Sequence, residues 1–213
     1  GSFMFKTFIR LAFGGIMMFP SGVAIAHHPM GGNTPSTLWE GLLSGVGHPI
    51  IGFDHLAFIV AVGLAASFSS RRYLLPLAFI FTTVIGCLLK FNGVALPSVE
   101  LVIAGSVVVL GSLIVLGKTF SGTTYGGIFT VAGLFHGWAY GQAIIGAEST
   151  PLLAYLLSFG LTQYVLAVST IWLVRNVYKA TKPSDLHPRI IGALATGIGI
   201  AIFLENIESL ILF

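Results

Sequence analysis

The segment His48-Pro49-Ile50-Ile51-Gly52-Phe53-Asp54-His55 places two imidazoles and a carboxylate within eight residues, inside an otherwise apolar stretch. Pro49 suits the first turn of a helix, where its missing N–H would have had no partner anyway. A helix running from there through Gly63 turns about 100° per residue. It would set His48 and His55 two turns apart on nearly one face, with Asp54 one step round. Ala57, Ala61 and Ala65 continue a row from the Asp54 side, and rows of small residues mark helix–helix contacts in membranes. Asp54 is therefore expected to face protein rather than lipid. A carboxylate at that depth is costly unless it is paired or hydrated. Imidazole nitrogen and carboxylate oxygen together suit divalent zinc, nickel, cobalt or copper. The plainer alternative is an Asp54–His55 pair that only satisfies helix packing.

A second constellation is His136-Gly137-Trp138-Ala139-Tyr140-Gly141-Gln142. Gly133, Gly137 and Gly141 recur every fourth residue and would admit another helix closely. His136 and Tyr140 share a face beside that row, as either a polar junction or a histidine hydrogen-bonded in a core. His27 and His28 form a third candidate, which could capture a metal ion before it reaches the membrane; the alternative is an unstructured terminus. The expected metal ligands are thus His48, Asp54, His55, His136, His27 and His28. Glu100 follows Pro97 near a helix start, where the dipole favours a carboxylate. Glu205 and Glu208 share a face of the last apolar run, and each of these three could line a path or merely reach water. Glu148 reads as a loop charge, and His187-Pro188 as a helix start without a metal signal.

Several chemistries are absent. There is no phosphate-binding glycine loop, so the chain shows no means of using ATP, and no GxSxG nucleophile motif. The last apolar run holds no lysine for a retinal Schiff base. The single cysteine, Cys87, excludes an intrachain disulfide and a CxxC site, and reads as a small buried residue. No resident prosthetic group is expected; the metal would be cargo.

The elements that must hold these residues follow from composition. Of 213 residues, 55% are hydrophobic and 8% charged, and mean hydropathy is +0.96. Soluble domains carry about 25% charged residues, so this chain cannot clothe a water-facing surface. Apolar runs near 5–25, 49–68, 73–92, 97–117, 124–146, 151–178 and 189–212 approach the ~20 residues that cross a bilayer as a helix. They are apolar all round rather than alternating, which excludes a β-barrel. The expected fold is an all-α polytopic membrane bundle of six core helices, with residues 27–213 as one domain. Residues 1–26 read as a tag scar at Gly1-Ser2, followed by a signal peptide or retained helix. Lys6 and Arg10 form its basic start, and Ala24-Ile25-Ala26 its small-residue cleavage site.

Basic residues set the orientation. With Lys6 and Arg10 inside, Arg71, Arg72, Lys118, Arg175, Lys179, Lys182 and Arg189 also fall inside, and only Lys90 lies opposite. That bias obeys the positive-inside rule. It places His27, His28, Glu40 and His48 outside, with Glu100 and Glu148 near the same face. The net charge of +3 forms no basic stripe, so nucleic acid is not an expected partner.

The His48–His55 segment, followed by Val62-Gly63, resembles the signature of the HupE/UreJ family, as does Phe135-His136-Gly137-Trp138-Ala139-Tyr140-Gly141. The signal-like start and six following spans are similar too, so the resemblance covers essentially the whole chain. It implies a nickel or cobalt permease with an indirect link to nickel-enzyme maturation. It implies functional roles for His48, Asp54, His55 and His136. Tyr140 stands where many members have a second histidine, and Gln142 close to where a glutamate is often found.

The leading expectation is a secondary permease for a divalent metal, nickel first. Ions would be collected by His27, His28 and Glu40, then pass His48, Asp54 and His55, with His136 completing the site. Only neutral imidazole binds metal, so uptake should fall as pH drops through roughly 6.5. The alternative from another class is an intramembrane zinc hydrolase acting on lipid, whose zinc would keep one position open for water. A third is a metal sensor or store without a through-path. Partners beyond the ion and the bilayer are open, homo-oligomers included.

Overall fold

The computed structural model describes residues 33–212. The expected N-terminal helix, its cleavage site, His27 and His28 lie outside the described residues. Among those described there are seven α-helices and no strand. They are α1 (Leu38–Ile51), α2 (Phe53–Ala66), α3 (Leu75–Phe91), α4 (Val99–Val115), α5 (Gly122–Tyr140), α6 (Ser149–Trp172) and α7 (Leu186–Leu212). A 3-10 turn, Gly141–Ile144, extends α5, and a π turn, Leu173–Val177, extends α6.

The later apolar runs correspond to α3–α7 within a few residues. The first core run does not behave as expected. Pro49 lies near the end of a helix rather than at its start, and the chain breaks at Gly52, where α1 and α2 meet at 79°. Helix α1 begins eleven residues before Pro49, at a capping box. The Thr37 hydroxyl accepts the Glu40 N–H, and the Glu40 carboxylate accepts from Ser36 and Thr37 N–H at 2.7 and 3.2 Å. This reciprocal arrangement fixes a helix start. Pro49 cannot donate to the carbonyl four residues back, which weakens the helix there, and α1 ends two residues later. Gly52 then takes an extended conformation, φ −76° and ψ 107°.

Glycines let α1 and α2 lie against α6. A Cβ at Gly41 would meet Pro151 and Ala154, one at Gly45 Tyr155 and Ser158, and one at Gly63 Ala167 and Thr170. These contacts advance in one direction along α6, so the pair is one broken span rather than a loop that turns back. The glycine row of α5 packs on α3 as expected: Gly133 against Phe79 and Thr82, Gly137 against Thr83, Gly141 against Cys87 and Lys90. Helix α4 packs mainly on α7, and α2 on both α4 and α6.

Two helices, or three spans when the bent pair is one, are long and apolar enough to cross a membrane. The expected count of six is not reached on that measure. Helices α3 and α4 have 17 residues each, about 25 Å at 1.5 Å per residue, just short of a ~30 Å hydrocarbon core. The outer surface is apolar: Leu153, Leu157, Leu161 and Val165, every fourth residue of α6, are all exposed. Contiguous apolar surface of that extent marks an interaction site or a membrane face. With so few charges, it makes this a membrane protein.

Candidate metal centre

The break at Gly52 brings the sequence motif to the middle of the bundle. His48 ends α1, Asp54 and His55 open α2, and all three are buried. They therefore do not share one helix face. Their proximity comes from a junction held by α5 and α6. Gly52 has no side chain for a specific reason: a Cβ there would stand 2.8 Å from Cδ2 of the His55 ring.

Tyr140 is the hub. Its ring centroid lies 4.8 Å from that of His48, edge-on, and 4.0 Å from that of His55. Phe159 of α6 closes the far side at 4.6 Å. The Tyr140 ring is fully buried, and its hydroxyl has no hydrogen-bond partner among the described residues. A buried phenol in that state carries a desolvation cost of about 1–3 kcal/mol.

His48 is fixed by Tyr155. Its Nδ1 lies 2.9 Å from the Tyr155 hydroxyl, which also reaches the Tyr140 carbonyl at 3.2 Å. A carbonyl only accepts and a phenol has one proton. Both contacts are satisfied when Tyr155 donates to the carbonyl and accepts from His48 Nδ1–H, which puts the electron pair of His48 on Nε2.

His55 meets His136 of α5: their Nδ1 atoms are 2.8 Å apart. The other nitrogen of His136, Nε2, is 2.9 Å from the Ser106 hydroxyl of α4. Both nitrogens of His136 are thus engaged, and the ring is fully buried between Phe58 and Phe79. Asp54 Oδ1 accepts the His55 N–H at 2.8 Å and stands 4.0 Å from His55 Nε2. A carboxylate in a first helical turn is favoured by the dipole. Ala57, Ala61 and Ala65 are buried with Asp54, as a protein-facing aspartate requires.

The structure therefore gathers His48, Asp54, His55 and His136 around Tyr140. Among the described residues, no three His, Cys, Asp or Glu side chains form a ready-made metal cage. Glu40, expected to collect ions, is instead committed to the α1 capping box. Glu100, Glu205 and Glu208 are exposed. His187 stacks on Tyr178 at 4.7 Å. Cys87 is fully buried, as expected.

Sequence reasoning missed Ser106 and Tyr155, which hold the imidazoles. Neither lies in a motif, and serine and tyrosine are unremarkable in apolar helices. The Thr37-x-x-Glu40 pattern was a legible capping signal.

Two cavities among the described residues bear on the site. One, of about 220 Å³, is lined by Ser69, Ser70, Thr119, Tyr125 and Pro183, at the end where Arg71, Arg72 and Lys118 lie. The other is a wholly apolar groove between α4 and α5, with Ser106 in its wall.

The profile of the family described as HupE / UreJ protein matches residues 16–202. Protein HupE of Rhizobium leguminosarum bv. viciae is 32% identical over 104 residues, 48% of this chain and 54% of that protein. The chain spans about half the length of this curated relative in that match. No solved structure matches. With a family match over residues 16–202, most of its length, the chain belongs to the HupE/UreJ family.

Proposed function

We propose that the protein is a permease for a divalent transition metal, nickel first and cobalt second. It would carry the ion from the non-cytoplasmic side into the cytoplasm of a bacterial inner membrane, as a multi-pass protein. The observation that carries this reading is the buried convergence of His48, Asp54 and His55 at a helix break, with His136 bonded to His55. Ionisable groups at such depth mark ion pathways, and unwound backbone is found in membranes where it lines a path. The unmatched Tyr140 hydroxyl adds a polar group beside them.

A loose site suits transport. An ion must bind well enough to arrive and weakly enough to leave, and three or four fixed ligands would retain it. An inside-negative potential supplies about 4.6 kcal/mol for a divalent ion across 100 mV, so no ATP site is needed. The cavity beside Ser69, Ser70 and Thr119 offers hydroxyls at the basic end of the bundle, which we assign to the cytoplasmic side. His27 and His28 would collect ions outside.

The second reading, a zinc hydrolase acting on lipid, draws on the apolar groove that reaches Ser106. Catalytic zinc takes three protein ligands, and no such group occurs among the described residues. Nickel accumulation in cells expressing wild type and Asp54→Ala separates the readings. Uptake at least ~10-fold lower in the variant is expected, that being the scale of lost metal-site interactions. Equal uptake at equal expression would overturn the permease reading.

A further inference from the structure

Gln163 of α6 is fully buried, and so is Thr83 of α3. The Gln163 Nε2 donates to the Thr83 hydroxyl at 3.1 Å, and that hydroxyl donates to the Ile80 carbonyl at 2.7 Å. A threonine has one proton to give, and a carbonyl only accepts. The two bonds together fix the carboxamide with its nitrogen on Thr83 and its oxygen turned away. That oxygen, Oε1, has no hydrogen-bond partner among the described residues. Buried polar atoms are nearly always paired. A leucine would fill similar space with no oxygen to satisfy, so packing alone gives no reason for glutamine here.

The place of Gln163 in the bundle supplies one. Tyr155, Phe159 and Gln163 are successive turns of one buried face of α6. Tyr155 bonds His48, and Phe159 packs on Tyr140. Gln163 stands ~12 Å of helix rise beyond Tyr155, in the direction of the π turn that holds Arg175. Helical side chains lean toward the N-terminus of their helix, which turns Gln163 back toward Phe159 and the Tyr140 hub. Its anchor also touches α5 beside His136: a Cβ on Gly137 would meet the Thr83 backbone. A carbonyl oxygen can take a cation as well as a hydrogen bond. For Ni²⁺ it is a weaker ligand than imidazole nitrogen. A weak oxygen placed after stronger nitrogens lets an ion leave without being retained.

We propose that Gln163 is a second ion-binding residue: its carboxamide, oriented by Thr83, offers Oε1 to a divalent metal ion leaving the histidine junction for the basic end of the bundle. This role rests on the permease reading.

Ni²⁺ flux into proteoliposomes, read together with the unfolding midpoint in detergent, tests it. Gln163→Leu removes the unpaired oxygen and leaves Thr83 its bond to Ile80. Its midpoint should equal or exceed that of wild type, while its flux falls at least ~10-fold. Gln163→Glu keeps an oxygen at that place and should bind Ni²⁺ at least as tightly as wild type. Wild-type flux in Gln163→Leu, at equal amounts of folded protein, would overturn the role of Gln163 and leave the permease reading standing. So would Ni²⁺ binding by Gln163→Glu weaker than that of wild type, because an oxygen there would then do nothing for the ion. No flux in wild type above empty vesicles would overturn the permease reading, and the ion role of Gln163 with it.

Discussion

Asp54 holds two roles in one carboxylate. Its Oδ1 accepts the His55 N–H at 2.8 Å, supporting the first turn of α2, and the same oxygen faces His55 Nε2. The roles can be separated. Asp54→Asn keeps an oxygen that can accept the N–H and removes the charge. Asp54→Ala removes both and should cost about 1 kcal/mol of stability, as lost capping groups do. Thermal unfolding in detergent should therefore fall for the alanine variant and hold for the asparagine one, while metal binding falls in both. At this scale the sequence showed which polar residues the fold buries together, His48, Asp54, His55 and His136, because histidine and aspartate are conspicuous in an apolar run. It did not show what holds them. Tyr155 and Ser106 act through hydrogen bonds between helices, 107 and 30 residues away from their histidine partners, and no local pattern encodes those.

At the scale of elements, two close approaches shape the site. A Cβ at Gly52 would press on the His55 ring. Gly52→Ala should therefore shift that ring and lower nickel uptake several-fold while helix content by circular dichroism stays the same. Gly137 touches the Thr83 backbone. Gly137→Val should push α3 from α5 and cost about 1–3 kcal/mol, as overpacking does, visible as a lower unfolding midpoint. The glycine row was legible because its four-residue spacing is the helical repeat. The Gly52 break was not, because hydropathy continues across it and Pro49 fits a helix start as well as a weakened end. The capping box at Thr37 and Glu40 resolves that ambiguity, since a helix fixed there already contains Pro49.

Across the whole molecule, the two ends differ in charge. The loops carrying Ser69, Ser70, Thr119 and Pro183 meet around one cavity, and Arg71, Arg72, Lys118 and Lys182 neighbour them in sequence. At the other end, Thr34 bonds the Ile145 carbonyl, Trp138 bonds that of Val94, and Lys90 lies 3.7 Å from the Trp138 ring centroid. With the basic end in the cytoplasm, a cysteine at Asn92 should react with an impermeant thiol reagent in intact spheroplasts. One at Lys118 should react only after lysis. The reverse pattern would invert the transport direction. The all-helical class was legible from composition, whereas the number of spans was not, because α3 and α4 are shorter than a full crossing.

The most direct test is Ni²⁺ flux into proteoliposomes holding an inside-negative potential, with wild type compared against Asp54→Asn. The account predicts potential-driven uptake by wild type and a loss of at least ~10-fold in the variant, with both proteins equally folded. Equal flux in the two, or none in wild type above empty vesicles, would contradict it.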